Sequence, residues 1–278
     1  MNYIINKKYE IVNKIGEGSF GKIFDAKNLT NNKMVAVKIQ YKNIVNALKH
    51  EVKIYNYLND CSFIPQIYNY GTDEGFHYIV MELLGKTLYD ISLDNIDMFK
   101  NFIETLNIIE FLHNKKLIHR DIKPENFIFN KDQSKLYLID FGMTTFYMDK
   151  DKFIEERKIE KIIGTINYCS VNIHENKLPS RRDDLESLCY TFIFCYNKQL
   201  PWQNIYDENC EELVNGNKNK IHEEILLLKK NSYDFYNKLP GEFYCILNYC
   251  RKLEFNEKPN YTYLRNIINN YLQNFINI

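Results

Sequence analysis

Residues 117–130 read LIHRDIKPENFIFN, and this stretch limits the chain more than any other. It sets His119, Arg120, Asp121, Lys123 and Asn126 between two apolar runs. Packing alone gives a fold no reason to gather these groups, because each polar group buried there must find a partner. One reading is a charged hairpin loop. The other is a catalytic loop, with Asp121 orienting a proton and Asn126 holding a metal ion, which the H-R-D-x-x-x-x-N spacing fits. The next segment favours the second reading. Two short strands, ENFIFN and KLYLID, are joined by Lys131-Asp132-Gln133-Ser134, and the second ends in Asp140-Phe141-Gly142. Such a hairpin predicts Asn126 and Asp140 on one face. Their oxygens suit Mg²⁺, with phosphate oxygens and water completing the octahedron.

Upstream, YEIVNKI (9–15) reads as a strand, followed by Gly16-Glu17-Gly18-Ser19-Phe20-Gly21. In a dinucleotide-binding fold a helix follows such glycines. Here KIFDAKN, the turn-prone Thr30-Asn31-Asn32 and MVAVKIQ follow, so the glycines cap a hairpin. A loop of this kind can lie over phosphates and offer unobstructed N–H groups. Lys38 sits in VAVKI, where a solvent-facing lysine is the commoner case. The next segment argues otherwise: 42–58 reads as a helix with Leu48, Tyr55 and Leu58 on its apolar face, and Glu51 shares that face. A carboxylate turned inward needs a partner, and Lys38 is the candidate. Residues 77–84, HYIVMELL, form a further strand ending at Gly85.

In the second half, 97–114 repeats Phe99, Ile103, Leu106, Ile109 and Leu112 at helical spacing. Residues 183–196, DDLESLCYTFIFCY, turn apolar all round after one turn, as a core helix does. Its early acid, Asp184, can accept from catalytic-loop N–H groups, and a carboxylate there also favours the helix dipole. Lys123 can neutralise a transferring phosphoryl group. Residues from about 210 onward read as helices and loops without a further catalytic constellation.

Composition narrows the class. Of 278 residues 45% are apolar and 26% charged, and Lys+Arg equals Asp+Glu at 36 each, so no charge excess favours nucleic acid or membrane. The seven cysteines form no C-x-x-C pair; reduced thiols in an intracellular protein are expected, with zinc a remote second reading. No window reaches membrane-span length. The start, MNYIINKKYE, has no apolar leader-like region, and Asn2 excludes N-myristoylation. The expectation is a soluble monomer, cytoplasmic and also nuclear.

From about residue 9 to 265 the chain resembles the eukaryotic protein kinases, and within them the casein kinase I family. The resemblance lies in KIGEGSFGKIF, VMELLG, HRDIKPENF, IDFGM, GTINYCSVNIH, SRRDDLESL, LPWQ and CRKLEFNEKPNYTYLR. Ordinary kinases place A-P-E after the activation segment, whereas Ser170-Val171-Asn172 looks like the family's S-I-N. The resemblance implies an α+β bilobal fold, with a β-rich first lobe (1–84) carrying one main helix and a mostly helical second lobe (85–278). It implies transfer of the ATP γ-phosphate, with Mg²⁺, to Ser or Thr of protein substrates, acidic ones among them. Catalytic roles then fall to Asp121, Lys123, Lys38, Glu51 and Thr165, the last closing the site opposite Lys123. Nucleotide contacts fall to Ile15, Gly16, Gly18, Ser19, Gly21, Ile23, Ala36, Lys38, Met81, Glu82 and Leu84, and the metal to Asn126 and Asp140.

The chain departs from the family in three ways. Asn167 stands where relatives carry an Arg that helps hold a phosphate already on the substrate. Losing one charge-assisted contact costs about 1.5–3 kcal/mol, roughly ten- to a hundredfold in binding, so weak dependence on priming is expected. Arg181, Arg182 and Lys230 are the candidates to compensate. The domain is neutral where relatives are basic, and 207–220 starts acidic, which weakens attraction of acidic substrates. The chain ends at Ile278, so restraint by a Ser/Thr-rich tail is not expected. Between Thr145 and Thr165 there is no Ser or Thr, which predicts activity without an upstream kinase. Two rival readings are a catalytically dead scaffold and a small-molecule phosphotransferase.

Overall fold

The computed structural model describes residues 3–18, 21–42, 47–203, 205 and 218–276. They divide into two compact units, Met1–Thr87 with Ile128–Gly142, and Leu88–Phe127 with Met143–Ile278. Ser19, the acidic 207–217 stretch and Cys210 lie outside the described residues.

The first unit is built on strands β1 (Ile4–Ile5), β2 (Tyr9–Gly18), β3 (Gly21–Asn28), β4 (Met34–Tyr41), β5 (Ile67–Asp73) and β6 (Phe76–Glu82). They form one sheet in the order β1-β2-β3-β4-β6-β5, antiparallel throughout. Period-two alternation sorts its side chains. Val35 and Val37 of β4 pack with Ile5, Tyr9, Ala26, Phe76, Tyr78 and Val80. Ala36 and Lys38 take the other face, where helix α1 (Ala47–Tyr57) packs Leu48 and Val52 against Ile79. Gly21 is needed by the fold: its φ is +144°, and a Cβ there would stand 2.1 Å from the Ile39 carbonyl oxygen. The helix expected from residue 42 begins, among the described residues, at Ala47, and Lys42 lies in a turn with its N–H on Gly75 O.

The second unit contains α2 (Asn95–Asn114), α3 (Val171–His174), α4 (Arg181–Asn197), α5 (Lys218–Asn231), α6 (Tyr233–Tyr236), α7 (Gly241–Lys252) and α8 (Tyr261–Ile276). Asp94 caps α2 by accepting the Asp97 N–H at 2.8 Å. Helix α4 is buried from Arg181 to Cys195, as its all-round apolar pattern predicts, and Phe102 of α2 stacks on its Phe192 at 4.3 Å. Strand β7 (Leu117–Ile118) pairs with β10 (Thr145–Phe146), and β11 (Met148–Asp149) with β12 (Lys152–Phe153). The predicted hairpin is β8 (Phe127–Phe129) with β9 (Leu136–Leu138), which from Ile128 onward belongs to the first unit. The α+β class, a β-rich part with one main helix followed by a helical part, is the one expected. Of the described cysteines Cys245 alone is exposed. No helix of the described residues is long and apolar enough to cross a membrane.

Candidate active site

In the second unit β7 leads into Asp121, which is 6% exposed and densely bonded. Thr165 gives its Oδ1 both a backbone N–H, at 2.8 Å, and a hydroxyl, at 2.7 Å. Lys123 Nζ donates to Thr165 Oγ1 at 3.0 Å and lies 3.1 Å from Asp121 Oδ2. Asn126, in the 3₁₀ turn Pro124–Asn126, donates its Nδ2 to Asp121 O at 2.7 Å and to Oδ2 at 3.4 Å. Three sequence-predicted residues, Thr165, Lys123 and Asn126, thus meet around the carboxylate of a fourth, Asp121. The approach of the Thr165 segment needs Gly164, with φ +96°, because a Cβ there would stand 2.4 Å from Arg120 O.

The loop is fixed from α4. Asp184 accepts the backbone N–H groups of His119 at 2.7 Å and Arg120 at 2.9 Å. Burial opposes its ionisation, yet the bonds from His113 and the loop hold it below the usual carboxylate range. His113 Nε2 lies 3.0 Å from Asp184, and its Nδ1 is 2.6 Å from the Tyr261 hydroxyl. Arg120 itself, at φ +70°, donates Nε to Met143 O at 2.5 Å. The adjacent Asp183 accepts from Ser170 Oγ at 2.6 Å, Asn172 Nδ2 at 3.2 Å and Ser180 N–H at 2.7 Å. The two acids divide the work the sequence assigned to one: Asp183 stays with the helix start and the Ser170-Val171-Asn172 turn, and Asp184 holds the loop.

In the first unit Lys38 Nζ sits 2.8 Å from Glu51 Oε2 and 2.8 Å from Asp140 Oδ1. Burial works against the ammonium, but the two carboxylates outweigh it and raise its pKa. Glu51 is wholly buried and its pKa is raised, burial outrunning the attraction of Lys38. Asp140 has φ +64°, a left-handed backbone like that of Arg120. In the sheet Ile23 stands opposite Lys38 and Ala36 opposite Met81, so all four share one face. Gly16 pairs with Ile23. A Cβ on Gly18 would meet nothing within 4 Å, so the fold does not by itself explain that glycine. Ile15 is half exposed, and Glu82, two residues before Leu84 at the end of β6, donates its backbone N–H to Gln66 O at 2.9 Å and accepts the Gln66 N–H on its side chain at 3.5 Å. A cavity of about 520 Å³ in this unit is lined by Tyr55, Leu58, Pro65, Ile67 and Tyr137, and of the predicted residues reaches Glu82 alone.

The residues predicted to hold a divalent ion both carry hard oxygen donors. Asp140 supplies carboxylate oxygen. The Nδ2 of Asn126 is engaged by Asp121, so the atom its amide has left to offer is an oxygen, a hard ligand of the type Mg²⁺ takes. Among the described residues no three His, Cys, Asp or Glu cluster to hold a metal unaided. Asp140 of the first unit and Asn126 of the second each offer oxygen, and a divalent ion at either needs phosphate and water to complete its shell. The residues fit Mg²⁺ brought with a nucleotide.

A protein kinase domain model matches residues 9–270. The chain is 34% identical over 291 residues to casein kinase I homolog 1 of Schizosaccharomyces pombe, covering 98% of this chain and 63% of that one. It is likewise 34% identical over 289 residues to casein kinase I homolog 2 of the same organism, covering 97% and 64%. The chain belongs to the protein kinase domain family. It spans a little under two thirds of the length of these relatives. Use of ATP and Mg²⁺ is typical of the protein kinase domain family.

In this member of the protein kinase domain family the candidate compensators for Asn167 are engaged elsewhere. Arg181 is buried, donates to Asn256 O at 2.6 Å and lies over the Tyr147 and Phe153 rings. Arg182 is buried, bonded to Leu253 O at 3.0 Å and to Glu156 at 2.6 Å. Lys230 pairs with Glu175. Sequence reasoning missed His113, Tyr261 and Gly164. A histidine in the last turn of an apolar helix, six residues before His119, was the available signal for the first.

Proposed function

We propose that this chain is a protein Ser/Thr kinase of casein kinase I type, active without phosphorylation of its activation segment and with weak dependence on primed substrates. The observation that carries the reading is the arrangement around Asp121. Its carboxylate is fixed by Thr165 and Asn126 beside the Lys123 ammonium. There it can take or orient the proton of an incoming hydroxyl while Lys123 offsets phosphate charge. Lys38, held by Glu51 and Asp140, would bind the nucleotide phosphates, with the sheet face of Ile23, Ala36 and Met81 at the base. Asn126 and Asp140 would hold Mg²⁺, which neutralises the phosphates when bound. Gly16, Gly18, Ser19 and Gly21 would leave room for them. Most of the acceleration then comes from positioning and charge, as phosphoryl transfer requires.

Two features support independence from an upstream kinase. No Ser or Thr lies between Thr145 and Thr165, and Arg120, which in a phosphate-ordered loop would await that phosphate, donates to Met143 O instead. The engaged Arg181, Arg182 and Lys230 support weak priming. Phosphatase-treated recombinant chain should transfer γ-phosphate to casein, and Asp121→Asn should lose about 10²–10⁴ of that rate while melting as the wild type does. Silence until treatment with another kinase would refute the activation reading, and full activity in Asp121→Asn the catalytic one.

A further inference from the structure

Helix α5 carries a lysine that phosphoryl transfer, as derived above, leaves unused. Lys229 is wholly buried. Its Nζ donates to the backbone oxygens of Ile166, at 2.9 Å, and Cys169, at 2.6 Å, and lies 3.1 Å from His174 Nε2. It also sits 4.9 Å above the Tyr190 ring and 5.1 Å above that of Trp202. Trp202 in turn donates Nε1–H to Asn167 O at 2.8 Å. Three carbonyls among the four residues after Thr165 are thus captured by two buried donors.

A core position that only needs filling takes Leu or Met. A buried ammonium is costly unless each N–H finds an acceptor, and here three meet three. Burial draws the pKa of Lys229 down to about 7, with Cys169 and Glu186 opposing. His174 is held neutral by burial and by Lys229, so its Nε2 can accept. The captured carbonyls belong to the segment whose first residue, Thr165, bonds Asp121 through both backbone and side chain. An error in the backbone of 166–169 is therefore passed directly to the acceptor side of the catalytic carboxylate.

We propose that Lys229, with Trp202, is a positioning residue for the protein substrate: a buried donor floor that sets the backbone of 166–169 for the incoming acceptor chain. The inference rests on the protein-kinase reading above. The nucleotide residues Lys38, Glu51 and Asp140 belong to the first unit and this floor to the second, so acceptor and nucleotide kinetics should separate.

The test uses the full chain as wild type, Lys229→Met and Trp202→Phe, with casein and ATP varied in turn below the pKa of Lys229. In Lys229→Met the KM for casein should rise about tenfold, the size of one charge-assisted bond. In Trp202→Phe, which removes one N–H and keeps most of the ring, the rise should be smaller and of the same sign. The KM for ATP should stay within about twofold in both, and MgATP should raise the Tm of each as it does for wild type. An unchanged casein KM in folded Lys229→Met, or casein and ATP constants rising together, overturns the proposal. If Lys229→Met does not fold, an unchanged casein KM in Trp202→Phe overturns it. A wild-type chain that transfers no phosphate to casein sinks the kinase reading and this inference with it; an active wild type with unaffected variants sinks only the inference.

Discussion

Replacing Glu51 by Gln separates positioning from stability at the Lys38 site. Glu51 Oε2 lies 2.8 Å from Lys38 Nζ, and the carboxylate is wholly buried. At an effective dielectric of about 20, a unit pair at that distance attracts by about 6 kcal/mol. Desolvation of the two ions costs several kcal/mol each, and the raised pKa of Glu51 shows that burial has outrun the attraction at this carboxylate. Glutamine has the same shape, keeps an oxygen that can accept from Lys38, and removes the pair's attraction together with the desolvation of the Glu51 carboxylate, while Asp140 still offsets the burial of Lys38. The folding free energy of the variant should therefore lie within about 1.5 kcal/mol of wild type, the worth of one ordinary hydrogen bond.

Activity should respond differently. Lys38 would keep Asp140 as its remaining charged partner, and weakening one of two charge-assisted contacts is worth about 1.5–3 kcal/mol, roughly ten- to a hundredfold in kcat/KM. The pH dependence supplies a sign check. A carboxylate whose folded pKa is raised costs stability as pH climbs above its ordinary value of 4.5, so the wild type should lose ground to Glu51→Gln as pH rises. Urea denaturation at acidic and neutral pH, with phosphate transfer to casein measured on the same samples, tests both halves. A stability loss of about 4 kcal/mol or more, the cost of an uncompensated buried charge, with unchanged activity per folded molecule would refute the reasoning.

Two further predictions follow from single positions. Restoring the family's arginine in Asn167→Arg should raise kcat/KM for a peptide with an upstream phosphoserine by about ten- to a hundredfold and leave the unprimed peptide nearly unchanged; equal gains on paired peptides would refute it. Burial, then Lys229, lowers the pKa of His174 from 6.5 to about 2, so the folded state refuses a proton that the unfolded chain accepts, and stability falls as pH drops below 6.5. That loss approaches about 1.4 kcal/mol per pH unit. Asp183, raised by burial to about 6, works in the opposite direction but is present in wild type and variant alike. Urea midpoints of His174→Gln should therefore fall less steeply with acid than those of wild type, and parallel slopes would count against a neutral His174.

What was legible in the sequence was whatever a short-range rule could express. Glu51 betrays itself because a carboxylate on an apolar helix face must have a partner, and Lys38 was the lysine in reach. The Asp121 cluster is compressed into eight residues, with Thr165 named from the family. The fold class follows from period two giving way to helical spacing. The missed features depend on residues far apart in sequence: Tyr261 meets His113 across 148 positions, and Lys229 meets Cys169 across 60. Periodicity marks α5 as a helix with a buried face but does not say that the face meets carbonyls, so a lysine there reads as surface charge. Asp183 and Asp184 read as one acidic helix start because sequence shows adjacency, and only the fold shows that their carboxylates serve different partners.

The same bonds support the proposal that the activation segment needs no phosphate. A phosphorylated loop is ordered because new anions pair with arginines that otherwise lack partners. Here the arginines already have them. Arg120 bonds Met143 O, and Arg182 bonds Glu156, a carboxylate supplied by the segment itself. Arg181 lies over Tyr147 and Phe153, while the Tyr147 hydroxyl donates to His113 O at 2.7 Å. From below, Lys229 and Trp202 hold the carbonyls of 166–169. The arginine and Lys229 contacts supply charge-assisted bonds in the unmodified chain, the kind that phosphorylation would introduce, while those of Tyr147 and Trp202 are neutral bonds that add to them. A phosphate added to such a segment would have to displace existing bonds, so its net gain would be small, and the absence of Ser and Thr from 146–164 is what this economy of bonds leads one to expect.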